Sequence, residues 1–189
     1  TISKSLPNNN GTVIIKHANP CGISIRKDNL QSYIAALKCD PISAYGGIVS
    51  CNYKVTKAIA QELKKLFFEV IIANNFDVDA LKILKAKKNL RLIDASQYIF
   101  KADLKFTSNN EEILVQSEDL KKMNIKDFKV VSKKKPNTKQ MKDLLFAFNV
   151  CRYVKSNAIV LASNETTTGI GSGQPSRLDS CQIAIDKMK

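Results

Sequence analysis

The sequence predicts an α/β fold in which helices are layered against a mixed β-sheet. Short apolar runs of strand length alternate along the chain with longer segments whose apolar residues recur at helical spacing. The composition agrees, because 44% of the 189 residues are hydrophobic and 25% are charged, which is ordinary for a globular protein. Such alternation is typical of a largely parallel or mixed sheet that helices cover on both faces.

The first half of the chain supplies most of this alternation. The predicted strands are short apolar runs, and they lie at 12–16, 46–52, 69–74 and 90–94. The predicted helices carry apolar residues at helical spacing, and they lie at 29–38, 57–68 and 77–88. Asp77 is a candidate N-cap for the third helix, and the lysines that end this helix suit its C-terminus.

The middle of the chain, from 95 to 136, is less regular. The run EEILVQ at 111–116 is predicted to be an edge strand. Residues 126–136 form a predicted basic connector, because Pro136 and a charge run interrupt the pattern. The connector divides the chain into two predicted lobes, 1–125 and 137–189.

The second lobe also contains a strand, a glycine-rich turn and a helix. It begins with a predicted helix that runs to about 155, with one face marked by Met141, Leu144, Leu145, Phe148 and Cys151. A buried strand at 157–162 and a glycine-rich strand and turn at 166–173 follow. The tail is a predicted helix with an apolar stripe at Leu178, Cys181, Ile185 and Met188.

The net charge of +13 raises the question of nucleic-acid binding. The basic residues are spread along the chain, and arginine, which forks best onto phosphates and base edges, occurs only at Arg26, Arg91, Arg152 and Arg177. We therefore predict that the positive charge serves anionic small-molecule substrates and that the chain binds no nucleic acid.

Hydropathy and cysteine usage predict a cytoplasmic protein. The chain has no apolar run of about 18 residues and no secretory signal pattern at its start, so no membrane association is expected. The five cysteines are odd in number and lack C-x-x-C spacing. This pattern favours reduced thiols over a disulfide framework or a four-thiolate zinc site.

The stretch IIKHANPCG at 14–22 contains the only histidine of the chain, His17, directly after Lys16. At the end of a parallel strand, this pair would present its groups into a crevice beyond the sheet. The neighbouring ammonium disfavours the imidazolium, and a histidine that stays neutral can act as a general base. A second interpretation stays open at this point, in which His17 only caps the turn through a backbone carbonyl.

The same stretch resembles part of a zinc deaminase motif but lacks the ligands. Zinc nucleobase deaminases carry H-x-E followed by P-C-x-x-C. Here Asn19 stands where the Glu would be, and Ile23 and Ser24 follow Gly22 in place of a second Cys. One thiol and one histidine fall short of the roughly three protein ligands that a catalytic zinc requires. No catalytic metal is therefore predicted.

Two further polar features lie beside predicted strands in the first lobe. In DPISAYGG at 40–47, the paired glycines allow a ligand to approach the backbone closely, and Tyr45 offers a surface for stacking. The alternative is an ordinary tight turn. Glu69 begins an apolar strand, where it could bind an amine or amide or simply be solvated.

The second lobe has two such features. Asn157 precedes a buried strand, where its amide could polarise a carbonyl or only cap the preceding helix. In GIGSGQPSR, glycines at alternate positions are followed by Arg177 in the first turn of a predicted helix. Backbone amides at a helix N-terminus together with an arginine favour an anion site. The glycine spacing is not that of a dinucleotide-binding fingerprint.

Six stretches, taken in order, closely resemble one enzyme family. They are KHANPCG, DPISAYGGIVSCN, EVIIA, KKNLRL, DLLFAFNVCRYVKSNAIVLA and TTGIGSGQPSRLDS. The resemblance is to the transformylase domain of bifunctional purine biosynthesis proteins, which join aminoimidazole carboxamide ribonucleotide (AICAR) transformylase to inosine monophosphate cyclohydrolase. It covers nearly the whole chain and is weakest between about 95 and 135. It implies a cytidine deaminase-like fold, duplicated within the domain.

The resemblance implies the transfer of a formyl group from 10-formyltetrahydrofolate, as co-substrate, to the 5-amino group of AICAR. Catalytic residues of the family fall on Lys16, His17 and Asn157. His17 would take the amine proton, Lys16 would hold the substrate and polarise the formyl group, and Asn157 would hydrogen-bond the formyl oxygen. The other family positions are Gly46, Glu69 and Arg177 for AICAR, and Ile42, Tyr45 and the backbone at Leu178 for folate.

The resemblance also bears on completeness and assembly. It begins after the cyclohydrolase domain and stops before the expected end of the transformylase domain, so the second lobe is expected to be incomplete. Family members form their sites across a homodimer. We therefore expect the chain on its own to have little or no transformylase activity and no cyclohydrolase activity.

Overall fold

The computed structural model describes residues 2–7, 9–99, 104–119, 121 and 123–188. Five strands form its main sheet, and they are β1 (Gly11–Ile15), β2 (Pro20–Ile25), β3 (Gly47–Cys51), β4 (Phe68–Ala73) and β5 (Arg91–Asp94). Their order across the sheet is β2-β1-β3-β4-β5. β1 is antiparallel to both neighbours, whereas β3, β4 and β5 are parallel. The prediction of an α/β fold with a mixed sheet is confirmed.

Seven α-helices surround this sheet in the described part of the chain. They are α1 (Ile2–Ser5), α2 (Asn29–Cys39), α3 (Pro41–Ala44), α4 (Lys57–Leu63), α5 (Val78–Lys85), α6 (Thr138–Cys151) and α7 (Arg177–Lys187). A short 3-10 helix spans Ile125–Asp127. Two further strand pairs are the hairpin of β6 (Leu104–Asn109) and β7 (Glu112–Ser117), and the pair β8 (Ile159–Ala162) and β9 (Thr167–Gly171).

The main sheet is covered by helices on both faces. Because successive strand residues point to opposite faces, the adjacent β1 residues Val13 and Ile14 enter different cores. The Ile14 core is filled mainly by β3, β4 and the buried sides of α2, α4 and α5. The Val13 core brings β1 and β2 against Phe146 and Val150 of α6. This two-sided burial is the layered arrangement that the alternating pattern predicts.

The segment after 137 packs directly onto the first part of the chain. Thr166 forms an isolated antiparallel bridge with Ser24 of β2. The Thr167 hydroxyl accepts a hydrogen bond from the Ile23 backbone N–H at 2.9 Å. Ile170 lies in the same core as Ile23. The β8–β9 pair thus adjoins the free edge of β2, while the division into lobes at 126–136 stays a prediction.

Two strands were absent from the sequence-based prediction. β2 contains Pro20 and Gly22, which are poor strand formers. It forms because Gly22 lets α2 approach closely, since a Cβ at this position would overlap the Ala36 carbonyl oxygen. β6 pairs with β7 in a separate hairpin whose residues are all exposed. The 111–116 strand is therefore not an edge of the main sheet.

The buried faces of α6 and α7 also differ from prediction. In α6 the buried residues are Phe146 and Val150, whereas Leu144 is 56% exposed. Phe148, on the predicted apolar face, packs edge-to-face on Phe128 of the connector, with ring centroids 5.2 Å apart. Apolar residues of α6 thus pack against two different parts of the chain, the core and the connector. Helical spacing alone does not show which residue packs against which part.

In α7 the buried residues are the small Ser180 and Ala184. They lie against β9, where a Cβ on Gly171 or Gly169 would overlap the Ser180 or Ala184 carbonyl oxygen. The predicted apolar stripe faces outward instead, with Leu178 81% exposed. Close approach of backbones therefore decides which face of this helix packs, and hydropathy does not.

Side chains cap α2 and α6, whereas the predicted cap of α5 does not form. The Asp28 carboxylate caps α2 by accepting from the Leu30 N–H at 2.8 Å. Asn137 and Gln140 form a capping box at α6. Asp77 precedes α5 but makes no capping hydrogen bond, and its carboxylate lies 2.5 Å from the Lys54 ammonium instead. None of the described helices is both long and apolar enough to cross a membrane.

Candidate active site

The predicted site residues of the first lobe gather at one end of the main sheet. Ile15 at the end of β1 pairs with Pro20 at the start of β2 and with Ile48 near the start of β3. Gly47 of β3 in turn pairs with Phe68 at the start of β4. The expectation of a parallel strand before Lys16 was wrong. Because β1 is antiparallel, the site lies at its carboxyl end and at the amino ends of β3 and β4.

Lys16 is joined to the loop that precedes β3. Its ammonium donates a hydrogen bond to the Tyr45 carbonyl oxygen at 2.5 Å. The next residue, Gly46, has a φ of 72° and donates its N–H to the Phe67 carbonyl oxygen at 2.8 Å. The left-handed φ favours glycine, and the Lys16 ammonium would lie 3.9 Å from a Cβ at Gly46. Backbone conformation therefore favours glycine at 46, and space favours it at 47, where a Cβ would lie 2.9 Å from the Ile15 carbonyl oxygen.

Tyr45 presents an aromatic surface at this place. Its side chain is 58% exposed and its ring centroid lies 5.5 Å from that of Phe67. Ile42 on the same loop is 80% exposed. Leu178, the third predicted folate-side residue, is 81% exposed in the first turn of α7. All three side chains are thus accessible to an apolar or aromatic ligand.

His17 lies on a tight turn between β1 and β2. The turn is closed by the Lys16 N–H, which donates to the Asn19 carbonyl oxygen at 3.0 Å. His17 is exposed, and the next residue, Ala18, has a φ of 98°. The Lys16–His17 and Ser156–Asn157 peptide bonds are both cis. The exposed imidazole is open to solvent and to an incoming ligand.

A hydrogen-bond chain connects this turn with the predicted site residues of the second lobe. The Asn19 side-chain oxygen accepts from the Lys155 N–H at 3.0 Å. The Lys155 carbonyl oxygen accepts from the Gly173 N–H at 2.8 Å. The next residue, Gln174, uses its carbonyl oxygen to accept from the Asn157 N–H at 3.0 Å. The structure thus ties the two predicted halves of the site together.

Asn157 holds the turn that leads into α7. Its amide nitrogen donates to the Gln174 carbonyl oxygen at 2.9 Å and to the Pro175 carbonyl oxygen at 2.8 Å. Its own carbonyl oxygen accepts from the Ser180 hydroxyl at 2.7 Å. Arg177 begins α7 within one turn of Ser180 and is exposed. Asn157 therefore does not cap the preceding helix, and it positions the arginine that starts the following one.

Glu69 and Arg177 remain separate from these contacts. Glu69 is an exposed residue of β4, beside the bulge at which Gly47 pairs with Phe68. Within the described ranges, neither the Glu69 carboxylate nor the Arg177 guanidinium forms a hydrogen bond or ion pair with another predicted site residue. Both are therefore available to a polar ligand.

Three residues that position the site were missed by the sequence reasoning. Asn19 joins two loops through its side chain, and the Asn-Pro pair that contains it is a recognisable turn signal. Lys155 acts through its backbone, and so does Phe67 with its carbonyl oxygen. Backbone contacts of this kind leave no mark on residue type, so no sequence signal predicts them.

Lys16 lines a small polar pocket of about 100 Å³. Asp40, Cys21 and Lys187 are among its lining residues. Burial raises the pKa of the Cys21 thiol to about 11, and the neighbouring Asp40 charge adds to this shift. Burial also acts to raise the pKa of Asp40, but hydrogen bonds from Lys187 and Ser43 outweigh it and hold that pKa below its usual value. The pocket therefore contains a neutral thiol beside an ionised carboxylate at neutral pH.

The described residues contain no cluster of three or more His, Cys, Asp or Glu side chains that could hold a metal ion. All five cysteines are free thiols. The predicted site residues instead offer an ammonium at Lys16, an exposed imidazole at His17 and an amide at Asn157. Such groups hold anions and carbonyl compounds and move protons.

Fold and site together define an α/β domain with a polar, cation-bearing site at one end of a mixed sheet. The chain belongs to a known family, since residues 2–187 match the family model described as AICARFT/IMPCHase bienzyme.

Three curated relatives, each named bifunctional purine biosynthesis protein PurH, support this assignment. The relative from Parvibaculum lavamentivorans is 47% identical over 180 residues, which cover 92% of this chain and 33% of the relative. The relative from Clostridium beijerinckii is 45% identical over 175 residues, covering 93% and 34%. The relative from Acetivibrio thermocellus is 41% identical over 177 residues, covering 92% and 34%. The chain thus spans about a third of the length of these relatives.

Proposed function

We propose that this chain carries part of the site that transfers a formyl group from 10-formyltetrahydrofolate to the 5-amino group of AICAR. The observation that supports this most directly is the link between Lys16 and the Tyr45 carbonyl oxygen. This bond joins Lys16, one member of the predicted catalytic pair, to the loop that bears the predicted folate and nucleotide contacts. The matching family and the names of the curated relatives agree with a role in purine biosynthesis.

His17 is the proposed base of this reaction. The amine nitrogen of AICAR attacks the formyl carbon, and the carbonyl electrons move onto the formyl oxygen. His17 accepts the proton that the amine loses, and the nitrogen of tetrahydrofolate leaves as the oxyanion collapses, taking up a proton in turn. An amine conjugated with an aromatic ring is a weak nucleophile, so much of the acceleration must come from orientation and proton removal.

Lys16 and Asn157 are the proposed partners of the formyl oxygen. The Lys16 ammonium supplies positive charge where negative charge develops in the transition state. Both hydrogens of the Asn157 amide are donated to the carbonyl oxygens of Gln174 and Pro175. Donation from Asn157 to the formyl oxygen therefore requires one of these two bonds to be exchanged for the substrate bond.

The remaining residues are proposed to bind the two substrates. Arg177 carries an exposed guanidinium at the start of α7, which suits the phosphate of AICAR. Glu69 suits an amine or amide hydrogen of the same molecule, and Gly46 allows its close approach. The exposed side chains of Ile42 and Tyr45, together with the backbone at Leu178, suit the folate.

The co-substrate and partners are proposed on the same basis. The reaction takes 10-formyltetrahydrofolate as donor and uses no catalytic metal, because acyl transfer to an amine needs proton transfer and charge stabilisation alone. The full-length protein is proposed to be a cytoplasmic homodimer whose sites are shared between subunits, and the positive charge is proposed to serve a phosphate and the folate tail.

Steady-state kinetics on the full-length protein that contains this chain tests the proposal. We expect formyl transfer to AICAR, and we expect Arg177→Ala to raise the KM for AICAR by roughly tenfold or more, as for a lost charge-assisted bond. Arg26→Ala is the matched control, because Arg26 follows β2 at the opposite end of the sheet. Absence of formyl transfer, together with salt-sensitive binding to random oligonucleotides, would contradict the proposal.

A further inference from the structure

An ion pair below the active-site loop joins two distant parts of the chain. Asp40 is 8% exposed and lies between α2 and α3. One of its carboxylate oxygens accepts from the Ser43 N–H at 2.9 Å and thereby caps α3. The other oxygen accepts a close hydrogen bond from the ammonium of Lys187, the last residue of α7. Both oxygens of this nearly buried carboxylate are therefore satisfied.

This carboxylate fixes the start of the loop whose end is held by Lys16. The loop runs from Asp40 through the four-residue helix α3 to Tyr45 and Gly46. Ala44 at its centre is fully buried, and its N–H donates to the Asp40 carbonyl oxygen at 3.1 Å. At its end, the Tyr45 carbonyl oxygen accepts from the Lys16 ammonium at 2.5 Å. Two cations thus hold one short loop from its two ends.

The helix α7 connects the Asp40–Lys187 ion pair with the second half of the site. Its first turn carries Arg177, while its last residue, Lys187, reaches Asp40. Ser180 and Ala184 hold the helix rigidly against β9, where glycines leave no space for a side chain. This packing on β9 holds α7 in place without the ion pair, so loss of Lys187 is expected to move the loop while Arg177 keeps its position.

A half-buried ion pair of this kind is a positioning device more than a source of stability. Burying two charges costs desolvation free energy that offsets much of their attraction. Removing one partner leaves the other charge uncompensated, so the loop must move to hydrate it. The Lys187 side chain is 37% exposed, whereas that of Asp40 is only 9% exposed. Loss of Lys187 therefore shifts the carboxylate toward solvent, and α3 with it.

We propose that Asp40 and Lys187 are positioning residues for the folate side of the site, because their ion pair sets the position of the loop that bears Ile42 and Tyr45. This inference rests on the proposed function. Neither residue touches the substrates, and both act through the loop. Their effect is expected on the KM for the formyl donor, since Ile42 and Tyr45 are the predicted folate contacts, and less on the KM for AICAR.

Kinetics of the full-length protein tests the pair. Lys187→Met is expected to raise the KM for 10-formyltetrahydrofolate roughly tenfold, and Lys187→Arg to restore it. Asp40→Asn keeps the cap on α3 but loses the charge, and its effect should not add to that of Lys187→Met. The control is Lys54→Met, which breaks the ion pair with Asp77 beyond the far end of β3. An unchanged KM in Lys187→Met, or simple additivity of the two substitutions, would overturn the proposal.

A second readout separates this inference from the proposed function. Amide hydrogen exchange over residues 40–47 reports the loop position without any substrate. We expect the Ala44 and Gly46 amides to exchange faster in Lys187→Met than in the wild type or in Lys54→Met, with no change in the exchange of β4. If the loop loosens but the protein transfers no formyl group, the proposed function fails and the positioning device stands. If the loop exchange is unchanged, the positioning device fails whatever the activity.

Discussion

At the scale of single residues, some predicted site side chains are held by hydrogen bonds and others are exposed to solvent. Lys16 and Asn157 are tied to backbone carbonyl oxygens of two loops. His17, Glu69 and Arg177 are exposed. The tied residues fix the geometry, and the exposed ones are free to meet a ligand. The hydrogen bond of Lys16 orients its ammonium before a ligand binds, whereas Asn157 must exchange one of its two bonds before it can donate to a formyl oxygen.

Three buried thiols give the fold a dependence on alkaline pH. Burial raises the pKa values of Cys21 and Cys39 to about 11 and that of Cys51 to about 12, from an ordinary value of 9.0. A pKa raised by folding contributes stability that is complete below pH 9 and is lost as the pH rises toward the folded value. At pH 10 each thiol is still protonated in the folded state and mostly ionised in the unfolded state.

We therefore predict that between pH 8 and pH 10 the free energy of unfolding falls by about 1.4 kcal/mol less in Cys51→Val than in the wild type. Urea unfolding at the two pH values measures this difference. Cys181→Ser is the control, because Cys181 is only partly buried on α7. An equal fall in stability for wild type, Cys51→Val and Cys181→Ser would show that burial of the Cys51 thiol does not contribute.

At the scale of elements, close backbone approach fixes how α7 lies on β9. A Cβ on Gly171 would overlap the Ser180 carbonyl oxygen, so the helix and strand can meet only if position 171 is glycine. We predict that Gly171→Ala lowers the free energy of unfolding by about 2–3 kcal/mol, as for other overpacked sites.

Gly173→Ala is the matched comparison for this prediction. A Cβ at Gly173 would meet no atom within 4 Å, although the φ of 68° is left-handed. Its expected cost is therefore only about 1 kcal/mol, from the backbone conformation alone. Chemical denaturation of the two variants measures the difference, and equal costs would mean that α7 can move away from β9 without penalty.

Much of the secondary structure could be predicted, because hydrophobic periodicity reports local geometry. α2 and α5 and strands β3, β4 and β5 lie close to their predicted ranges. The strand β2 was missed because its proline and glycine oppose strand propensity, while its pairing with β1 and packing on α2 override that propensity. The outward stripe of α7 was not recognised because small residues that permit close packing carry little hydrophobic signal.

The candidate site was predictable in its residue types and less so in its geometry. The Lys16 ammonium lies beside the loop of paired glycines, a contact that the sequence did not predict. The antiparallel direction of β1 was not predicted, since strand direction depends on long-range pairing. The links through Lys155 and Phe67 use backbone groups, which leave no mark on residue type, whereas Asn19 joins the two loops through its side chain. The roles assigned to the site residues stay predictions.

At the scale of the whole molecule, the chain covers about a third of the length of its relatives. The site it bears is open, since Ile42 and Leu178 are about four-fifths exposed, at 80% and 81%. An open site admits water, which weakens electrostatic stabilisation of the transition state. We therefore predict little or no formyl transfer by the 189-residue chain alone.

A steady-state assay of the isolated chain at saturating AICAR and 10-formyltetrahydrofolate checks this prediction. The full-length protein assayed at equal molar concentration is the control. A turnover number for the chain close to that of the full-length protein would show that the remaining two-thirds of its relatives' length is unnecessary for the chemistry.

We propose that His17 acts as the base in formyl transfer. The most direct measurement is the turnover number of His17→Ala in the full-length protein, with the KM values for both substrates determined alongside. We predict a loss of about 10²–10⁴-fold in kcat with KM values changed by no more than a factor of a few, as for removal of a general base. A kcat within a factor of a few of the wild-type value would contradict the claim.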